Sequence, residues 1–335
     1  MGKVAILAVM KDEAPYILEW VAYHQLLGFD MIIADNGGDD GTSELLSRLH
    51  YAGHIRRVAY GWCTDRPQIP SYRMLARVAQ RLGYEIAGCI DADEFFTRDF
   101  PVVSLSPESG ATHVARLFEE RDASQISFHW TCFGSRTDDP DPVRPVIERF
   151  AHHSGADEKW NSWTKSFFKV GELVAATDIL GLGPSIESAH YFARVNRNWF
   201  FGGGQPAPEY WARPETRYDL GRILHYQVKS WSEYLKKRAR GDGALNANKY
   251  NKSFFDQHDY DDEETHVSPE ALSALTRRME EIEKGLVDVP EAAEVSVLSE
   301  AESRRYSRGL SNVRVKKAKQ RLRKMVRSLR SRKAS

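Results

Sequence analysis

The sequence has no apolar run approaching the ~20 residues that a membrane-spanning helix needs. Cysteine is scarce. Cys63, Cys89 and Cys132 are an odd number with no metal-ligand spacing, which suits a reducing compartment. The opening Met1 to Met10 has too short an apolar part, and no cleavage-type end, for a secretory signal. It is expected to be a first β-strand, and the protein to be cytoplasmic. Net charge is also missing, at zero, but the balance is uneven. Residues 304–335 hold 14 Lys or Arg and no acid, so the other 303 residues carry 33 basic against 47 acidic side chains. With basic charge confined to the tail and no recognised binding motif in the body, nucleic acid is not expected as a partner.

What is present is enough for a core: 335 residues, 41% apolar and 11% aromatic, sufficient for one large domain or two small ones. Val4 to Met10 reads as a buried strand, and Pro15 suits the first turn of a helix that runs from Tyr16 to Leu27 and ends at Gly28. Met31 to Ala34 is a second strand. The loop Asp35 to Gly41 follows, with Thr42 expected to cap a helix from Ser43 to Leu49. Ile55 to Ala59, a helix from Ser71 to Leu82, and Glu85 to Ile90 continue the rhythm. Strand and helix in alternation predict an α/β fold: a Rossmann-like, mostly parallel sheet with helices on both faces. Beyond Phe100 the pattern is irregular. An alternating strand is expected within Ser124 to Phe133, loops at Trp160 to Trp163 and Trp199 to Gly204, and helices over Trp231 to Arg240 and Pro269 to Lys284, the last capped by Ser268.

The most informative stretch is Ile90-Asp91-Ala92-Asp93-Glu94-Phe95. In extended chain, residues i and i+2 point to one side, so Asp91 and Asp93 converge. Two carboxylates at one point repel unless something positive sits between them, and a divalent cation carrying phosphate oxygens is the usual answer. The alternative is a strand end with two solvated acids. Ligands of such sheets sit beyond the carboxyl ends of the strands. Three loops meet there: Lys11 to Ala14, Asp35 to Gly41 and Asp91 to Glu94.

Taken together, Lys11-Asp12-Glu13 before a helix, Asp35-Asn36-Gly37-Gly38-Asp39-Asp40-Gly41-Thr42, and Asp91-Ala92-Asp93-Glu94-Phe95 resemble the family 2-type glycosyltransferases. Among these the chain is most similar to the bacterial branch near glycosyltransferase family 92. Phe128-His129-Trp130, Phe133-Gly134-Ser135 and His225-Tyr226 with Lys229-Ser230 extend the resemblance, which covers roughly residues 3–240. It implies a GT-A fold over residues 1–240, with a nucleotide-sugar-binding half (1–100) and an acceptor half (101–240). A helical extension (241–303) and the basic tail (304–335) would follow. It implies a metal-dependent, inverting transfer of a sugar from a nucleoside-diphosphate sugar, UDP by default, to a glycan or lipid-linked acceptor in surface or secreted polysaccharide synthesis. On this resemblance Asp35 contacts the nucleobase, though an Asx turn would explain it as well. Lys11 and Glu13 touch the nucleoside, with a solvated turn as the plain alternative. Asp91 contacts ribose or metal, and Asp93 is the more direct ligand of Mn²⁺ or Mg²⁺. His225 completes the metal sphere unless it is structural. Apart from the resemblance, Tyr72 and Arg73, one helix before the pair, offer contacts to phosphate or simply belong to a surface helix.

The chemistry also needs a base to take the acceptor hydroxyl's proton. Glu187, three residues before His190, and Glu148 are the leading candidates, with Asp138 and Asp139 behind them. Trp130, Trp160, Trp163, Trp199 and Trp211 offer faces for sugar stacking, or belong to the core. In the tail, Val315, Ala318, Leu322, Met325 and Leu329 recur at helical steps among Lys and Arg. This basic amphipathic helix suits peripheral contact with the anionic inner face of a membrane, or self-association; a solvated tail is the plain alternative. Two other functions compete. A haloacid-dehalogenase-type phosphatase also places Asp-x-Asp after a strand, but wants Thr or Val where Phe95 stands. A non-catalytic nucleotide-sugar or glycan-binding protein would not need the aspartate pair intact.

Overall fold

The computed structural model describes residues 2–65, 67–135, 144–172, 199–201, 215–241, 249–287, 289 and 296–308. The first half follows the predicted rhythm: β1 (Val4–Met10), α1 (Ala14–Leu26), β2 (Asp30–Asp35), α2 (Thr42–Tyr51), β3 (Arg56–Ala59), α3 (Gln68–Arg81) and β4 (Ile86–Cys89). These four strands are parallel, in the order β3-β2-β1-β4, and Met10 is paired with Asp35, so the ends of β1 and β2 are level.

The period of two in these strands divides the core. Ile6 and Ala8 of β1, with Met31 and Ile33 of β2, join the layer containing Trp20, Val21 and Phe118. Ala5 and Leu7, with Ile32 and Ala34, join the layer containing Tyr72, Leu75 and Val78. Both faces of the sheet are therefore covered, which is why these strands read as continuous apolar runs.

The second half adds antiparallel strands that the α/β rhythm did not announce. After β4 the chain turns through Asp91 to Asp93 into β5 (Glu94–Thr97). Then come α4 (Ala111–Glu120), β6 (Gln125–Cys132), α5 (Val146–Arg149), β7 (His152–His153), β8 (Thr164–Lys169), β9 (Trp199–Phe201) and β10 (Arg222–His225). The sheet continues as β4-β8-β6-β10-β5, with β9 beside β6, so one sheet runs through both halves. Strands β8 and β5 run antiparallel to their neighbours, while β6 is parallel to β9 and β10. The expected alternation in β6 is present in residue type, with Ile126, Phe128 and Trp130 in the apolar layer and Ser127 bonded to Ser166 on the other face, but all eight of its residues are buried. Trp199 to Phe201, expected in a loop, pairs with β6 as β9.

The remaining elements are α6 (Trp231–Arg240), α7 (Lys252–His258), β11 (Glu263–Glu264), α8 (Pro269–Leu286) and α9 (Glu300–Arg308). Ser268 caps α8 as expected, accepting the Ala271 N–H. Helix α8 packs along α1, and α9 lies against α3 and β3. Two buried acids fasten the second half. Glu19 of α1 accepts the N–H groups of Val146 and Ile147 at the start of α5, and burial raises its pKa to about 7. Glu233 of α6 takes a two-pronged ion pair from Arg149 of α5, at 2.8 and 3.1 Å. Thr42 is not a cap. It is the first residue of α2, and its hydroxyl accepts the Glu13 N–H and donates to Asp40.

Gly88 in β4 has no room for a side chain, since a Cβ there would lie 2.5 Å from the ring of the fully buried Phe167. Gly88→Ala should therefore cost about 1–3 kcal/mol of stability through overpacking. Urea unfolding would check this by a lower midpoint at unchanged slope.

Candidate active site

The site begins with the turn that leaves β4. Glu94 closes it: its Oε2 accepts the Asp91 N–H at 2.9 Å, and the Asp91 carbonyl accepts the Glu94 N–H at 3.1 Å. From α1, the Trp20 indole N–H donates to the carbonyls of both Asp91 and Glu94 at 3.0 Å. The turn sends the chain into β5, which pairs with β10 so that Glu94 lies opposite His225. The Tyr226 N–H donates to the Asp93 carbonyl at 2.9 Å. The sheet itself thus brings Asp91, Asp93 and His225 together.

Each aspartate already has a cation. Lys165 of β8, with no exposed side-chain surface, lies 2.6 Å from Asp91 and 3.1 Å from Glu94. Asp91 also accepts the Tyr72 hydroxyl and, at 3.3 Å, the Gln68 amide. Asp93 Oδ2 lies 2.6 Å from Lys237 Nζ of α6 and 3.9 Å from His225 Nε2. Burial disfavours charge on all of these groups, yet the outcome differs among them. Burial would raise Asp91, but the Lys165 ammonium outweighs it and holds the carboxyl below its usual range. The ammonium groups of Lys237 and Lys229 do the same for Asp93. Glu94 is left in the driest place, its Oε1 with no hydrogen-bond partner, and burial pushes it up to about 8 despite Lys165. Burial also holds His225 well below the ordinary imidazole range, so it stands neutral.

These residues border a cavity of about 320 Å³ beyond the carboxyl ends of β1 and β4. One wall carries Asp91, Asp93 and His225; Lys11, Lys237, Arg240 and Lys249 also line the space, with Trp130 and Tyr250 as aromatic faces. The Asp35 to Thr42 loop shapes the rim. Asp40 accepts the N–H groups that open two helices, Ala14 of α1 and Thr42 of α2. Gly38, at φ +137°, lies against Asp12 so closely that a Cβ would clash with its backbone and carboxylate.

Of the residues singled out from sequence, Lys11, Glu13, Asp91, Asp93 and His225 meet at this cavity. Glu13 is ion-paired with Arg240. Asp35 is not among the lining residues. Its carboxylate is held by Arg57 at 2.6 Å, by the Ser43 hydroxyl and by the Gly37 N–H, the last forming the Asx turn, while its neighbour Asn36 faces the cavity. Arg73 is half-buried on α3 and does not line the cavity, although Tyr72 beside it reaches Asp91. Glu148 stands exposed on α5, 3.8 Å from Arg144, and does not line it either. Glu187, Asp138, Asp139 and Trp211 lie outside the described residues, as does the tail from residue 309. Sequence reasoning missed Lys165, Lys237 and Arg240. The first two are 74 and 144 residues from their aspartates, and no local motif marks them.

The donor set does not suit a divalent ion as it stands. Both Asp91 oxygens and one of Asp93 are already taken by Tyr72, Lys165 and Lys237. Among the described residues no three His, Cys, Asp or Glu side chains come together as a metal ion would require.

No family model matches the chain, and no curated protein does. Among the solved structures that overlap with it are the following two. Mannose-1-phosphate geranyltransferase from Thermus thermophilus is 14% identical over 50% of each chain, at a TM-score of 0.27, so the chain spans half the length of that protein. A putative glucose-1-phosphate thymidylyltransferase from Bacillus anthracis, in complex with a sucrose, is 11% identical over 75% of this chain and 98% of the other, at a TM-score of 0.31.

The Glu94 shift gives a signed prediction. A carboxyl whose pKa rises from about 4.5 unfolded to about 8 folded binds its proton more tightly in the native state. Its contribution to stability is full below the lower value and is lost as pH rises through the upper one. The protein should therefore lose stability between pH 5 and pH 9, and Glu94→Gln should flatten that slope, as read by urea unfolding across this range.

Proposed function

We propose that the chain transfers a sugar from a nucleoside-diphosphate sugar to a hydroxyl of a glycan or lipid-linked acceptor, in the building of a surface or secreted polysaccharide. The observation that carries this reading is the cavity: two aspartates at the carboxyl end of a parallel strand, with four cationic side chains around the same space. Such a distribution suits a ligand with a polyanionic middle and hydroxyl-rich ends. The cations would meet phosphate oxygens, Asp93 would accept a hydroxyl of ribose or sugar, and Trp130 or Tyr250 would offer a face to a ring. The volume, about 320 Å³, falls at the small end of the range for ligand sites. A second space of about 510 Å³, sharing Glu13, Lys237 and Arg240 with the first, would extend it toward the acceptor.

The reaction balances simply. The acceptor oxygen bonds to the anomeric carbon as the bond from that carbon to the diphosphate oxygen breaks. The electron pair of that bond leaves on the phosphate, and the hydroxyl proton passes to a carboxylate. The products are a glycoside and a nucleoside diphosphate. Positive side chains at the leaving oxygen act where charge develops, which is where electrostatic stabilisation lowers a barrier. Glu187 remains our candidate for the proton acceptor, because Glu148 does not line the cavity. Among the described residues no helix is long and apolar enough to cross a membrane, so an acceptor held in lipid would be met at the surface, where the basic tail is suited to bind.

Calorimetric titration with UDP, GDP, CDP and dTDP tests the donor site. We expect one of them to bind, UDP first among candidates, and Arg240→Ala to weaken that binding about 10–100-fold through loss of a charge-assisted bond. Binding of none, by a folded sample, would sink the proposal. Once a donor sugar is known, Glu187→Gln should slow turnover by about 10²–10⁴-fold while leaving nucleotide affinity intact; equal turnover would remove Glu187 as base.

A further inference from the structure

Resting on the transferase reading, we infer that the cation meeting the donor's diphosphate is the ammonium of Lys237, in the place where a divalent metal ion is usually expected. The inference starts from the charges around the aspartate pair. Among the described residues, Asp91, Asp93 and Glu13 are the carboxylates on the cavity, and each has a cation of its own: Lys165, Lys237 and Arg240. The repulsion that would call for a divalent ion is thus already relieved by the chain itself. A doubly charged ion bound to Asp93 would have to sit beside an ammonium that is 2.6 Å from the same carboxylate. Of the described side chains, His225 is left as a second donor nearby, at 3.9 Å from Asp93.

Lys237 is placed to serve an anion. An ammonium has three N–H donors. One goes to Asp93 Oδ2 at 2.6 Å and one to the Gln227 carbonyl at 2.8 Å, which leaves one for a ligand in the cavity that Lys237 lines. The Tyr250 ring, 5.5 Å away, bounds the ammonium on another side. Asp93 keeps the lysine charged and aimed, so it acts here as a positioning residue for a cation rather than as a metal ligand. One helical turn on, Arg240 lines the same cavity and is held by Glu13 and by the carbonyl of Lys11. Residues three apart share a helix face, so α6 presents two fixed cations to one ligand.

The helix that carries them is firmly held. Ser230 and Glu233 form a reciprocal capping box at its start, and the buried Arg149 pins Glu233 in turn. Its last turn is rich in Lys and Arg, and a helix's carboxyl end favours cations, not anions. A phosphate there would be bound by the side chains and not by the backbone. Both lysine and arginine suit phosphate: arginine as a flat fork, lysine as a compact point charge.

The test uses the full chain and the same four nucleoside diphosphates, titrated once in excess EDTA and once in Mn²⁺. We expect the diphosphate that binds to do so within threefold of the same affinity in both. Lys237→Met should lose at least tenfold in both conditions, and Lys237→Arg should keep most of the affinity. A circular dichroism melt would establish that each variant is folded. If Lys237→Met does not fold, the wild-type comparison alone decides. Binding lost in EDTA and restored by Mn²⁺ would overturn the lysine assignment and leave the transferase reading standing. Binding of no diphosphate in either buffer would overturn both.

Discussion

The interaction on which the site depends is the buried ammonium of Lys165 between Asp91 and Glu94. A charge with no exposed surface is costly unless it is paired and its remaining donors are satisfied. Here the pairing also fixes geometry, because its two acceptors lie at either end of the Asp91–Glu94 turn. The lysine comes from β8, the strand that runs antiparallel to β4 and joins the two halves of the sheet. Trp20 holds the same turn from α1, and Tyr72 holds it from α3. Layers on both faces of the sheet therefore converge on one four-residue turn. Asp93, the acid of this turn that faces Lys237, inherits its position from that arrangement.

This explains how much could be read from sequence and where the reading stopped. The parallel half was legible because its strands are buried on both faces and separated by helices; the helix starts were less so, since Thr42 opens α2 instead of capping it and α3 begins at Gln68, not at Ser71. The Asp91 and Asp93 pair was legible because a strand of known direction leads into it. The partners were not. Lys165 sits within Thr164-Lys165-Ser166-Phe167-Phe168, a strand with little local signal, and only its register against β6 turns it inward. Lys237 belongs to a helix whose boundaries were clear, yet nothing in that helix says which of its cations faces an acid 144 residues away. Pairings made through tertiary contact leave no periodic trace.

Asp35 shows a different limit. Its loop was identified and lies where expected, but a carboxylate at a strand end has several local partners within reach, and three of them claim it: Arg57 from the neighbouring β3, Ser43 from α2, and the Gly37 N–H in its own turn. The motif around it has a clear structural meaning independent of any ligand. Asp40 and Thr42 bind the start of α1 to the start of α2, and Gly38 lets the loop close on Asp12. A motif specific enough to suggest a family can thus be kept by the needs of the fold at most of its positions, while the cavity is faced by Asn36 alone among the first two.

A lysine and a divalent ion ask different things of a site. A magnesium ion needs near-octahedral oxygen donors at about 2.0–2.1 Å and brings its own water ligands. An ammonium needs acceptors at ordinary hydrogen-bond distance, and a chain that holds it still. The second requirement is the one this fold meets: Asp93 and the Gln227 carbonyl fix the lysine head, and the capped, ion-paired start of α6 fixes the helix behind it. The same helix contributes Arg240, so any movement of α6 would shift both cations together, and with them the Glu13 end of the first loop. A polyanion bound between these cations would thus meet donors whose positions the fold has already set.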